Sequence, residues 1–431
     1  MALLVQKFGG TAVADGDRIR AVADHVARTR RRGHDVVVVI SAMGKETDEL
    51  IQLARGVSGA PPGRELDMLI TTGERKAAAL LCMALHEQGV DASSFTGSQA
   101  GFLTDTTHTN AKILAVNAHR LREVLDEGYV PVVGGAQGVS TDRDITFLGR
   151  GGSDTSAVAL AHSLGADSCE LYTDVSGIFT ADPRVVPDAR KIPRLPFESV
   201  LEMTATGCPK PAMRSVEFAR THGVPLQVRS AFTWEPGTWI TEEEDSMEDA
   251  IVSAVTHDTS EAKITVVGVS DQPGIAGRLF RVLADEDINV DTTIQNVSAA
   301  GHTDISFSVP RDDLAKAFEV CQVVAEELGA REITSDDHMA KVSVVGAGMK
   351  TNPGVAAKMF ETLADNDINI GMISTSAIRI SCTVDEDERS SSAGGTRLAR
   401  GVRPGRRRVS PRRGAERRQG PNPLGRCGTD R

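Results

Sequence analysis

No two of the six cysteines (Cys82, Cys169, Cys208, Cys321, Cys382 and Cys427) stand at C-x-x-C spacing, which excludes a zinc ribbon or redox dithiol and reads as reduced thiols. With 431 residues the chain needs no disulfide framework, being long enough for two or three domains with cores of their own. Long apolar runs are missing too. Runs such as VVVVI at 36–40 fall far below the ~18 residues of a membrane span. The opening MALLVQKFGG puts a charge where a signal peptide continues its apolar stretch. A cytoplasmic location and no membrane partner are expected. The ten histidines show no H-E-x-x-H or other ligand spacing, so no residue is assigned to a metal.

The net charge of -11 argues against a nucleic-acid partner, but it is uneven. Residues 382–431 hold thirteen Arg, no Lys and six acids, +7 locally, which leaves -18 on residues 1–381. From Arg389 onward there is no Ile, Phe, Met, Tyr, Trp or Lys, so a core cannot form there. Two readings stay open for residues 382–431: a basic arm, or GC-rich coding sequence read in a shifted frame. The expectation is a basic, disordered tail without a nucleic-acid partner.

Residues 1–245 alternate short β-branched runs (3–8, 36–40, 129–133, 170–173, 226–228) with amphipathic, Ala-rich helices, the pattern of a mainly parallel sheet. An acidic stretch, TEEEDSMED at 241–249, opens a linker and leading strand over 246–262. Then the chain repeats itself. PGIAGRLFRVLADEDIN at 273–289 and PGVAAKMFETLADNDIN at 353–369 share 10 of 17 residues, the sign of a duplicated module. The first copy, 263–337, reads as a βαββαβ unit. The second, 341–381, lacks a final helix and strand, which predicts an exposed sheet edge.

Two glycine loops carry the chemistry. Lys7-Phe8-Gly9-Gly10-Thr11 ends an apolar strand, where glycines let backbone N–H groups approach an anion. Gly149-Arg150-Gly151-Gly152-Ser153-Asp154 opens a helix. Two such cradles in one α/β domain suggest a nucleoside triphosphate, although neither is a P-loop. Arg150 offers a guanidinium fork for a carboxylate, Asp154 a carboxylate for magnesium-nucleotide, and Glu74 a carboxylate for an ammonium group. Singly, each is also an ordinary ion-pairing or capping residue.

KFGGT at 7–11, VVVVISAMG at 36–44, TTGER at 71–75, SFTGSQAG at 94–101, LGRGGSDT at 148–155, YTDVSGIFTADPR at 172–184, VGVSDQPG at 267–274 and ISTSAIRIS at 373–381 together resemble the aspartate kinases with two ACT modules, of the actinobacterial type. The resemblance implies an amino acid kinase fold, an open αβα sandwich, followed by ACT modules. It implies phosphoryl transfer from ATP with Mg2+ to the side-chain carboxylate of L-aspartate, the entry to lysine, threonine, methionine and diaminopimelate. Lys7 and Asp154 are then catalytic. Thr47, Glu74, Arg150, Gly151, Gly152 and Ser153 bind aspartate. Lys7, Phe8, Gly9, Gly10, Ser41, Thr173, Asp174, Phe179, Thr180, Ala181, Asp182, Pro183, Arg184 and Lys210 form the nucleotide side. Lysine and/or threonine would bind at Asp271, Gln272, Pro273, Gly274, Ile275, Ala276, Gln295, Asn296 and Ser298, between ACT modules paired in a homo-oligomer. A short regulatory subunit starting near Met247 is a further implied partner.

The chain departs from the family pattern at four places. Ala12 replaces a serine, Ala136 an aromatic and Lys45 an acid, and register puts Pro209 where a nucleotide-contacting lysine stands, with Lys210 one position later. These departures keep a second reading open, a catalytically impaired relative that senses amino acids.

Overall fold

The structure, a computed structural model, describes residues 1–242, 252–297, 301–350, 352 and 354–386. Met247, Ser298 and the tail beyond Glu386 lie outside the described residues.

Eight strands build the first sheet: β1 (Leu3–Phe8), β2 (Asp35–Ile40), β3 (Ala92–Phe95), β4 (Val130–Gly134), β5 (Ser168–Thr173), β6 (Arg194–Pro196), β7 (Leu226–Ser230) and β8 (Thr238–Thr241), ordered β6-β8-β7-β5-β1-β2-β4-β3. Only β7 and β8 pair antiparallel. Alternation along each strand feeds two cores, because successive side chains leave on opposite faces. On β2, Val37 and Val39 enter one core while Val36, Val38 and Ile40 enter the other.

Helix α1 (Gly16–Arg31) covers the second face with Ile19, Val22, Ala23, Val26 and Ala27, and is capped by Asp15, whose carboxylate accepts from the Arg18 N–H at 2.9 Å. Helices α2 (Glu46–Val57) and α3 (Thr72–Glu87) follow, and α4 (Gly152–Leu164) lies against the first face, buried almost along its whole length. A small sheet of Phe102–Thr104, Ile113–Val116, Gln137–Ser140 and Ile145–Phe147 flanks this core. Helix α5 (Phe197–Thr204) leads toward the ACT region.

The ACT strands are β9 (Ala254–Asp258), β10 (Glu261–Ser270), β11 (Thr293–Val297), β12 (His302–Pro310), β13 (Glu332–Asp336), β14 (Met339–Val345), β15 (Met372–Thr375) and β16 (Arg379–Asp385). The first module orders them β11-β12-β10-β13, under α6 (Ile275–Asp285) and α7 (Leu314–Glu327). The second orders them β15-β16-β14-β9, with α8 (Gly354–Ala364). Set side by side, β9 stands where β13 stands in the first copy. The expected open edge is therefore closed: β9, from ahead of the first module, pairs antiparallel with β14. The expected boundary at 381 also moves. Cys382 and Val384 are buried in β16, so the second module runs to Asp385.

Between the modules the buried Lys341 of β14 bonds Glu261 of β10 and, at 2.7 Å, Asp291. Burial pushes the thiols of Cys82, Cys321 and Cys382 up to about 12, so they are inert, in keeping with reduced structural cysteines.

Candidate functional site

The parallel strands β1, β2, β4 and β5 all point their carboxyl ends toward one edge, the position where ligands collect on open α/β sheets. Lys7, one residue from the end of β1, is buried there, and its ammonium meets the Asp154 carboxylate in the first turn of α4. Asp154 is wholly buried. Burial alone would raise its carboxyl, but Lys7, the charge of Lys210 and the Ala212 N–H, donating to Oδ2 at 3.3 Å, hold it below the ordinary carboxylate range.

The two glycine loops close around this pair. Gly9 donates its N–H to the Tyr172 carbonyl at 3.1 Å, tying the first loop to the end of β5. A Cβ on Gly10 would come within 2.8 Å of the Gly44 carbonyl and 2.9 Å of the Ala42 carbonyl, so only glycine lets this loop pack against the turn after β2, where Ser41 lies. Gly151 caps α4 in the left-handed region, and Gly152 and Ser153 begin the helix. Ala12, at the family's serine position, is buried in the core under α1.

Glu74, in the first turn of α3, is 3% exposed, and its Oε2 has no hydrogen-bond partner among the described residues. Burial, with a contribution from Glu46, pushes its carboxyl up to about 7 against the N–H groups of Glu74 and Ala42. A buried acceptor without a partner suits an incoming ammonium group. Thr47 lies in the first turn of α2. Arg150 stands almost fully in solvent, 3.8 Å from Asp48, where it can swing onto a carboxylate at the mouth. Lys45 is exposed at the cap of α2, and Lys76 bonds Glu46 at 2.5 Å.

Beside the pair opens a cleft of about 530 Å³. Asp174, Phe179, Ala181, Asp182, Pro183, Arg184 and Lys210 line it. Thr180 accepts the Val255 N–H at 2.9 Å, and Arg184 is bidentate on Asp182, one bond at 2.7 Å. Thr173 is buried at the end of β5 and does not line the cleft. Lys210 lines the cleft and its charge reaches Asp154, so a cation stands one residue after Pro209.

Sequence reasoning missed Met203, Gly207 and Cys208, and it missed Val255, Thr256 and His257 of β9, which form the opposite wall. Gly207 packs so tightly on β9 that a Cβ would lie 2.0 Å from the His257 carbonyl, and Thr206 and Thr256 share a hydroxyl contact at 2.7 Å. Nothing near 207 in sequence signals a partner fifty residues on.

In the first ACT module, Asp271 to Ala276 lead into α6, with Gly274 as its left-handed cap, while Gln295 and Asn296 are exposed on edge strand β11. Both β10 and β11 pair with β12, Ser270 opposite His302 and Asn296 opposite Asp304, so these residues share one end of the sheet. Among the described residues no three metal-ligating side chains gather, and no helix is long and apolar enough to cross a membrane.

The amino acid kinase family model matches residues 2–230, and an ACT domain model matches 264–323 and 342–391. An aspartokinase of Mycolicibacterium smegmatis is 53% identical over 393 residues, 90% of this chain and 93% of that one. An aspartate kinase structure from Synechocystis is 41% identical with a TM-score of 0.53, covering 93% of this chain and 69% of that one. E. coli aspartokinase III, solved with aspartate and ADP, superposes with a TM-score of 0.80 over 93% of this chain and 99% of its own, at 23% identity, a likeness of fold.

Proposed function

The chain belongs to the aspartokinases within the amino acid kinase family, and we propose that it transfers the γ-phosphoryl group of ATP to the side-chain carboxylate of L-aspartate, under feedback by lysine and/or threonine at the ACT modules. The observation that carries this reading is the buried Lys7–Asp154 pair between two glycine loops, with the unpartnered Glu74 beside it. An aspartate carboxylate is already ionised at neutral pH, so no general base is required. Its oxygen bonds to the γ-phosphorus as the bridging P–O bond breaks, and ADP leaves with the electron pair. Catalysis is then positioning and charge neutralisation.

Lys7 supplies a desolvated positive charge for the transferring oxygens. Asp154 orients the Lys7 ammonium, and the glycine loops offer N–H groups to the phosphates. Glu74 takes the substrate ammonium, Arg150 its α-carboxylate, and Lys210 a nucleotide phosphate. One carboxylate at the pair, without a three-ligand cluster, fits Mg2+ carried mainly by nucleotide phosphates, which supplies further neutralisation when bound. Lys210 in the cleft favours an active enzyme over an impaired one.

The test is ATP- and Mg2+-dependent formation of aspartyl hydroxamate from L-aspartate and hydroxylamine, with Lys7→Ala as the blank and lysine plus threonine added in a parallel series. Turnover that vanishes in the blank and falls with effectors is expected. A folded protein with no turnover above the blank would shift the reading to the amino-acid-sensing relative.

A further inference from the structure

The face of the central sheet opposite Lys7 carries a second polar cleft. Gln6 and Lys7 are consecutive on β1, so their side chains leave the sheet on opposite sides. Lys7 enters the kinase site, and Gln6 lines a cleft of about 220 Å³ between α1 and strands β1, β5 and β7. It is less than half the volume of the cleft beside the Lys7–Asp154 pair.

Its charge is unbalanced. The one lining acid, Glu170, is already satisfied, accepting from Gln6 Nε2 at 2.7 Å, Tyr172 OH at 3.0 Å and Arg229 Nη1 at 2.8 Å. Arg28 and Arg32 stand at the rim. Arg28 bonds Asp24, while among the described residues no acid pairs with Arg32. In the floor, Arg229 Nε has no acceptor and Gln6 Oε1 no donor among the described residues. An unmet buried donor on a guanidinium is costly, so its retention calls for an occupant.

Two further features agree. The His25 ring is pushed down to about 4, first by burial and then by the charges of Arg229, Arg28 and Arg32, so it adds no charge of its own to the cleft at neutral pH. Trp234, which stacks on His25 with ring centroids 4.1 Å apart, has φ +58, a left-handed backbone that bulky residues seldom adopt, and strain of this kind gathers at ligand clamps. The Arg229 Nη2 holds it there by donating to the Trp234 carbonyl at 3.1 Å.

We propose that this cleft binds a small oxyanion, phosphate or a short carboxylate, its oxygens accepting from Arg229 and Arg32 and, for hydrogen phosphate, its P–OH donating to Gln6. The site does not depend on the kinase reading.

Trp234 supplies the assay. The full chain is titrated with sodium phosphate and, separately, sodium succinate, following tryptophan fluorescence with sodium chloride at matched ionic strength as the blank. A saturable change is expected that disappears in Trp234→Phe, survives in Lys210→Gln, and needs roughly tenfold more anion in Arg28→Gln/Arg32→Gln, as loss of charge-assisted bonds implies. Saturation by phosphate alone or by succinate alone supports the site and assigns its ligand. The proposal is overturned if neither anion gives a saturable change, if chloride reproduces it, if the double variant binds as tightly, or if Lys210→Gln abolishes it, which would put the anion in the kinase cleft.

Discussion

Glu74 is a residue whose binding role and stability should pull in opposite directions. Its carboxyl moves from 4.5 in the unfolded chain to about 7 in the fold, chiefly through burial. Between those values the folded protein holds a proton that the unfolded chain has lost, so stability falls as pH rises through this window. At roughly 1.4 kcal/mol per pH unit, the interval corresponds to about 3 kcal/mol lost by pH 8. Glu74→Gln removes this titration while keeping the side chain's shape. The variant should match the parent at pH 5 and exceed it at pH 8 by up to about 3 kcal/mol, read as a rise in the unfolding midpoint. Aspartate KM should meanwhile rise about tenfold or more, since a hydrogen bond to a charged group contributes about 1.5–3 kcal/mol, and in the parent KM should drop as pH passes 7. A variant whose stability difference does not change between pH 5 and pH 8 would refute the desolvated carboxylate. Enhanced stability with an unchanged KM would refute its contact with the substrate ammonium.

Removing Lys7 leaves the wholly buried Asp154 without its cation, so Lys7→Ala should destabilise the kinase domain by about 3–5 kcal/mol as well as abolish turnover, measured by thermal unfolding and the hydroxamate assay. Gly207→Ala puts a methyl group onto the His257 carbonyl, and ATP KM should rise while aspartate KM holds in steady-state kinetics. Lys341→Met strands the acids it joins, Glu261 above all because it is the more buried. Unfolding of the ACT region should come at lower temperature, by about 3 kcal/mol, with the kinase transition unmoved in calorimetry.

The elements set by local pattern were legible. Strand β1 falls on residues 3–8 because an apolar run meets a glycine pair, and the ACT duplication was visible as a repeated 17-residue segment. The residues around Lys7 and Asp154 were legible because strand ends and helix starts gather at one sheet edge. Lys210 was not: register alone left it open, and only the packed loop shows that it lines the cleft. The cleft wall on β9 was hidden as well, because a short strand after an acidic stretch says nothing about a partner 85 residues later. Nor does a rise in the Glu74 carboxyl appear in TTGER, since it comes first from the loss of water on burial and then from Glu46, 28 residues earlier in the chain.

The sheet position of β9 bears on how the protein is made. The strand leaves the ribosome ahead of the whole first ACT module, yet its neighbour β14 begins at Met339. At roughly 5–20 residues per second, some 80 residues of synthesis keep β9 waiting for about 4–16 s, one flank against Thr180 and the other unpaired. Throughout that interval the cleft beside Lys7 and Asp154 has a wall that its later neighbour does not yet hold in place. A nascent chain therefore completes its catalytic half only once its regulatory half arrives, and translation that stalls between the two modules leaves a bare strand edge open to pairing with another chain.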